Sequence, residues 1–356
     1  MSKSFSLYLD LMRFLAAVFV VLSHFVQMNI IQGGYAYFTP ELGRDAVILF
    51  FVLSGYVIAY TTDYKKPTLV EYFIARLTRI YSVVLPLLIL SGIAFISLVF
   101  FDKYNDANYV YEKWYFYYPF YSFFLGEMWT ISETPPLLTP YWSLSYEVWY
   151  YILFSILYFF KGYLRSVLAL LIFILIGYKL WLLLPVWMLG VVLYRYDDEA
   201  LFDVFKSRLL FFLSFFIFIA FKFHDIDLFL IEYGKQLWPF DNLPLGSAFA
   251  YLSDYVNCLI VLMNFYFAKH SQLNFLLFFE RYIRSFADYT FTLYLTHWLV
   301  LGVFCVFVSD LNGSFSVFLC VTILVFLFTL VIGQLSEKRR FLFRDFFTYI
   351  YRKIAL

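Results

Sequence analysis

The chain has 356 residues, 63% of them hydrophobic and only 14% charged, with a mean hydropathy of +0.79. A soluble globular chain is about half apolar and about a quarter charged, so most of this surface is built for lipid rather than water. A formal net charge of +1 offers no footprint for nucleic acid, and Cys258, Cys305 and Cys320 lie in apolar runs without metal-ligand spacing, read as inert buried thiols.

Apolar stretches long enough to cross about 30 Å of hydrocarbon recur along the chain. They lack strand-like alternation, and backbone polar groups in lipid must be satisfied within the segment, so helices are expected. Ten segments are predicted to span: 5–27, 44–61, 80–101, 141–160, 166–179, 181–195, 208–222, 247–267, 288–308 and 314–335. The expected fold is therefore all-α, a polytopic integral membrane protein with a bundle of about ten transmembrane helices. Residues 1–335 form its membrane domain and 336–356 a basic amphipathic tail.

The first span carries Asp10, Arg13 and His24 within YLDLMRFLAAVFVVLSHF. No small-residue cleavage site follows, so it is expected to be retained rather than removed as a signal peptide. Eleven residues bring Arg13 and His24 to within about 20° of one helix face, about 16 Å apart along the axis, with Asp10 on the same stripe. Each ionisable group in a span costs about 2.5–3.5 kcal/mol on insertion scales, which makes these residues site candidates. The alternative is a packed ion pair plus an interfacial histidine. An imidazole accessible from one membrane face is suited to take a proton from a hydroxyl.

The second span opens GRDAVILFFVLSGYVIAY. Asp45 sits where an acid favours a helix N-terminus, and Ser54-Gly55 permits close helix approach; both are candidates, with a packing role as the plain reading. At the mouth of the third span, Arg76 and Arg79 lie one turn apart on one face. A guanidinium pair suits phosphate, and equally satisfies the tendency of Lys and Arg to lie inside.

The stretch 113–126 is the eleventh apolar one. If it does not span and the N-terminus is inside, most of the 26 Lys and Arg fall on the cytoplasmic side, with both termini there; if it spans, Lys161, Arg165 and the basic 269–284 loop move outside. The even count is therefore preferred. The aromatic loop 102–140 then lies outside, along the interface or dipping into the bundle, and its Tyr and Trp are read as a membrane belt before a sugar-stacking surface. Segments 166–179 and 181–195 are short and must form a tight or tilted helical pair around Tyr178–Trp181.

The fourth span begins PYWSLSYEVWYYILF, where Ser143 and Glu147 are i and i+4 and Ser145 stands between them. A glutamate just inside an apolar helix needs a partner, and His24, at similar depth, is the expected one. In YTFTLYLTHWLVL, His297 lies mid-span and is read as a satisfied core histidine before a ligand. The tail FLFRDFFTYIYRKIAL interleaves aromatics with Arg344, Arg352 and Lys353, as a surface helix would. There is no GxSxG elbow, HExxH or phosphate-cradling glycine loop, and four scattered histidines argue against a metal site.

Arg13-x10-His24, GRDAVILFFVLSGYVI, RLTRIY, PYWSLSYEVWYY and YTFTLYLTHW, in that order across about residues 5–335, resemble the acyltransferase 3 family. Members move acyl groups, usually acetyl from acetyl-coenzyme A, onto hydroxyls of extracytoplasmic carbohydrates such as O-antigens, exopolysaccharides and peptidoglycan. The resemblance implies His24 as base, Arg13 as its partner, Glu147 as the acid of the Ser-x-x-x-Glu segment, and Arg76 and Arg79 as donor-binding residues. It implies acyl-coenzyme A as a donor substrate with no permanent cofactor, a glycan or lipid-linked saccharide acceptor, and residence in a bacterial inner membrane. Two departures stand out: Arg44 precedes Asp45 where the family often has a small or apolar residue, and no C-terminal esterase-like domain is expected. A transporter or flippase of a glycan or lipid-linked substrate is the alternative, although the halves of the chain do not match as transporter repeats do.

Overall fold

The computed structural model describes residues 1–101, 103, 110, 112–196, 200–308 and 313–354, and all regular structure among them is helical. In chain order the α-helices are α1 (Lys3–Gln27), α2 (Gly33–Phe38), α3 (Gly43–Lys65), α4 (Leu69–Phe100), α5 (Trp114–Ser122), α6 (Trp142–Phe159), α7 (Gly162–Ile176), α8 (Tyr178–Tyr196), α9 (Val204–Phe223), α10 (Ile226–Leu237), α11 (Tyr251–His270), α12 (Glu280–Ala287), α13 (Thr290–Phe307), α14 (Phe315–Leu335) and α15 (Arg340–Ile354). Side-chain caps start several of them. Ser2 accepts from the Phe5 N–H, and Thr68 and Glu71 form a reciprocal capping box at α4.

Each of the ten expected spans coincides with a helix, but only seven helical stretches among the described residues are long and apolar enough to cross a membrane. The chain is a multi-pass membrane protein; the count of ten is not established. The three that fall short are α6, α7 and α11. Helix α7 has 15 residues, about 22 Å, too short for a full core. Helices α6 and α11 lose hydropathy to polar residues: Glu147, the tyrosines and the buried Ser143 and Ser145 in α6, and the buried Asp254, Asn257 and Asn264 in α11. The doubtful stretch 113–126 holds only the nine-residue α5, which cannot span, and leaves Trp114, Tyr115 and Phe116 exposed. Part of the loop before it lies outside the described residues.

Helices α3 and α8 pack through small residues. A Cβ on Gly55 would come within 2.1 Å of the Trp187 carbonyl oxygen, and one on Gly190 within 2.1 Å of that of Val52. The expected short pair is present as α7 and α8, reversing at Gly177 with φ +81°, where the Trp181 indole N–H donates to the Phe173 carbonyl at 2.6 Å. Lys3 pairs with Glu280 at 2.7 Å and Lys338 with Asp288 at 3.0 Å, so the start of α1 and the start of the tail meet at one end of the bundle, here the terminal end. The cysteine expectation is corrected in part: Cys258 is buried, whereas Cys305 is half-buried and Cys320 exposed on the bundle's outside.

Candidate active site

Three cavities succeed one another along the bundle. At the far end, about 460 Å³ is lined by His24, Arg44, Glu127, Ser132, Trp142, Phe249 and Tyr294, among others. In the middle, a waist of about 60 Å³ is lined by Arg13, Ser54, Arg79, Ser143, Glu147 and Tyr294. At the terminal end, about 1120 Å³ opens between the end of α3, the start of α4 and α15, with Arg76 and Arg79 in its wall. Val47 and Tyr294 border both the far cavity and the waist; Arg79 borders both the waist and the terminal cavity. Helix α1 thus presents guanidinium and imidazole at successive depths of one line of cavities, as its stripe requires.

His24 does not pair with Glu147. Its Nδ1 lies 2.7 Å from Nε2 of His297, with the rings 10° from coplanar and the centroids 5.0 Å apart. The N···N contact accounts for most of that separation, so the imidazoles meet edge to edge in a linear hydrogen bond. His297 Nδ1 lies 3.0 Å from the Leu293 carbonyl, which can only accept. The proton of neutral His297 is therefore on Nδ1, its Nε2 accepts, and His24 must donate from Nδ1. The lone pair of His24 is left on Nε2, the atom a base needs. The pairing with a carboxylate failed because α13, 273 residues away, packs closer to His24 than α6 does. The Trp298 ring closes one side at 4.5 Å, edge-on.

Glu147 is held instead by neighbouring hydroxyls: Ser54 Oγ donates to Oε1 at 2.7 Å, Tyr151 donates to the same oxygen, and the Trp187 indole donates to Ser54 at 3.2 Å. Ser143 and Glu147 share the waist as their spacing requires, with Ser143 Oγ 2.8 Å from the Tyr294 hydroxyl. Ser145 is buried away from the three cavities. The Arg13 Nε is buried without a hydrogen-bond partner, while its Nη1 lies 3.4 Å from Asp10, which also accepts from Arg284. Asp10 is thus an anchor for α1 rather than a waist residue. Arg76 lies over the Tyr151 ring at 5.9 Å.

Asp45 turns away from the waist, accepting from Asn257 at 3.0 Å and pairing with Lys222 at 3.2 Å. Its neighbour Arg44 faces the far cavity. It is bidentate to Asp254 at 3.0 and 2.5 Å, donates to the Ser247 carbonyl at 2.6 Å, and lies between the Trp142 and Phe249 rings at 5.1 and 5.2 Å. Asp254 was missed by sequence reasoning, though a carboxylate inside the predicted span 247–267 is the signal that would have found it. Glu127 was missed as well. It sits fully buried in the loop after α5, 3.3 Å from the buried Lys179 ammonium, and accepts from Ser247 at 3.1 Å. Burial pushes its carboxyl above the usual range against the pull of Lys179.

A family model described as an acyltransferase domain matches residues 6–334, nearly the whole chain. The chain belongs to the acyltransferase 3 family. No curated protein and no solved structure gives a significant match. Membership makes the chain a membrane acyltransferase, and the transporter alternative falls away. Within this acyltransferase, the three cavities have chemically distinct walls: aromatic and hydroxyl-bearing at the far end, a carboxylate with two arginines at the waist, and basic at the terminal end.

Proposed function

We propose that this acyltransferase is an O-acetyltransferase of the bacterial inner membrane, with both termini cytoplasmic. It takes an acetyl or other short acyl group from acyl-coenzyme A and passes it to a hydroxyl of an extracytoplasmic glycan such as O-antigen or exopolysaccharide. The observation that carries the reading is that adjacent cavities share wall residues: Arg79 borders the basic cavity and the waist, and Tyr294 the waist and the His24 cavity. Phosphate-suited groups at one end and an imidazole base at the other match a donor and an acceptor that approach from opposite faces.

In this reading the donor's phosphates meet Arg76 and Arg79, and the narrow pantetheine arm runs past Arg13 and Glu147 toward Tyr294. The far cavity takes the sugar, with Trp142 and Phe249 as stacking faces. Nε2 of His24 removes the acceptor hydroxyl proton as the oxygen attacks the thioester carbonyl. The tetrahedral adduct collapses, the carbon–sulfur bond breaks, and the thiolate leaves, taking a proton back from His24. Glu147 holds counter-charge between Arg13 and Arg79, a positioning role. His297 fixes the reactive tautomer of His24.

The test uses inverted membrane vesicles supplied with labelled acetyl-coenzyme A. Label on the glycan is the expected result, abolished by His24→Ala while the variant remains in the membrane fraction. Glycan that crosses the vesicle membrane unlabelled would overturn the reading, as would undiminished labelling by His24→Ala.

A further inference from the structure

The tail helix α15 lies beyond residue 334, where the family match ends. It does not sit as an independent surface helix. Phe347 packs against Tyr81 of α4, ring centroids 6.1 Å apart, and Arg340, Arg344, Thr348 and Arg352 enter the wall of the terminal cavity. Those four residues are spaced by four, so they form one slowly winding stripe. The apolar residues Leu342, Phe346 and Tyr349 are exposed on the outside. An amphipathic helix lying on a bilayer would offer its basic groups to headgroups around it; here the basic stripe is turned to a cavity within the protein.

Charge balance in that cavity is one-sided. Its lining includes Lys65, Arg76, Arg79, Arg340, Arg344 and Arg352 against a single carboxylate, Glu71, among the described residues. Glu71 is already occupied, accepting from the Thr68 N–H at 2.8 Å and hydroxyl at 3.0 Å in the cap of α4. Arg344 has only an exposed 3.1 Å contact with adjacent Asp345, and among the described residues Arg76, Arg79, Arg340 and Arg352 make no ion pair within 4 Å, although Glu147 lies near Arg79 and Glu337 near Arg79 and Arg340. The Arg76 Nε is buried without a hydrogen-bond partner. A buried guanidinium N–H without a protein acceptor is suited to an anionic oxygen.

We propose that α15 forms one wall of the donor site, its Arg340, Arg344 and Arg352 binding phosphate groups of the donor's nucleotide opposite Arg76 and Arg79. The inference rests on the donor reading above and assigns a part of the site that lies outside the matched domain. A ligand with several phosphates is favoured over a lone phosphate or a lipid headgroup. The cations are spread along three turns of α15, and Arg79 leads from them into a waist that admits only a slender arm.

The experiment uses the full chain in nanodiscs of neutral lipid, with coenzyme A and 3′-dephospho-coenzyme A as probes in calorimetric titration. Coenzyme A should bind the wild type more tightly than its dephospho form. Arg340→Ala/Arg344→Ala/Arg352→Ala should weaken coenzyme A binding about ten- to hundredfold and erase the preference between the two probes. The single Arg344→Ala and Arg352→Ala variants, which leave most of α15 unchanged, should give graded losses if the triple variant does not fold. Wild-type affinity and preference in folded variants would overturn the role of α15 while leaving the donor reading intact. Failure of the wild type to bind coenzyme A at all would overturn the donor reading itself. Unchanged coenzyme A binding with lost affinity for anionic vesicles would reassign the stripe to lipid.

Discussion

The two ends of the bundle handle charge in opposite ways. At the far end the ionisable groups are matched within the protein: Arg44 with Asp254, Lys179 with Glu127, His24 with His297. At the terminal end a set of guanidiniums faces a cavity with one preoccupied carboxylate. Internal matching fixes geometry before any ligand arrives, which suits an uncharged polyol and a reaction that depends on placement. Unmatched cations leave binding energy to be collected from a polyanion. The contrast lies in partner supply, since arginine occurs at both ends.

The sharpest way to break this contrast is at the imidazole. His24→Ala should lower the rate of label transfer by about a thousandfold or more, the reach of a general base, with donor affinity kept. Next is the matched pair beside it. Asp254→Ala leaves Arg44 buried without its carboxylate and should cost about 3–5 kcal/mol in detergent-solubilised unfolding. The double variant Arg44→Met/Asp254→Leu should recover most of that; no recovery would mean the pair is not one unit. His297→Ala removes the acceptor that sets the tautomer of His24 and should slow transfer about ten- to hundredfold, with partial rescue by His297→Gln. Equal loss in both variants would reduce His297 to packing. The smallest effect belongs to the other end: Glu71→Gln keeps the cap of α4 but removes its charge, so coenzyme A affinity should rise about two- to fivefold.

Much of the waist was legible in the sequence because helical spacing alone dictates which residues share a face. Arg13 and His24 fell on one stripe, Ser143 and Glu147 on another, and Ser54-Gly55 marked the close approach of α3 that the Gly55 and Gly190 contacts with α8 bear out. Which stripe meets which is a matter of tertiary packing, and there the reading failed. Similar depth was expected for His24 and Glu147, but Glu147 lines the waist with Arg13 while His24 lines the far cavity, and the imidazole met His297 while the carboxylate met Ser54 and Tyr151. The tail was legible as amphipathic, whereas the side it presented to the protein was not. Glu127 escaped notice because it lies in irregular chain, where no periodicity announces burial.

The waist has one more consequence. At about 60 Å³ it has room for only a few waters, each needing about 10–15 Å³ of such space. Its wall holds Arg13 and Arg79 against the single carboxylate of Glu147, a net positive charge that disfavours small cations. A constriction of this size and sign disfavours the passage of hydrated small cations between the wider chambers on either side.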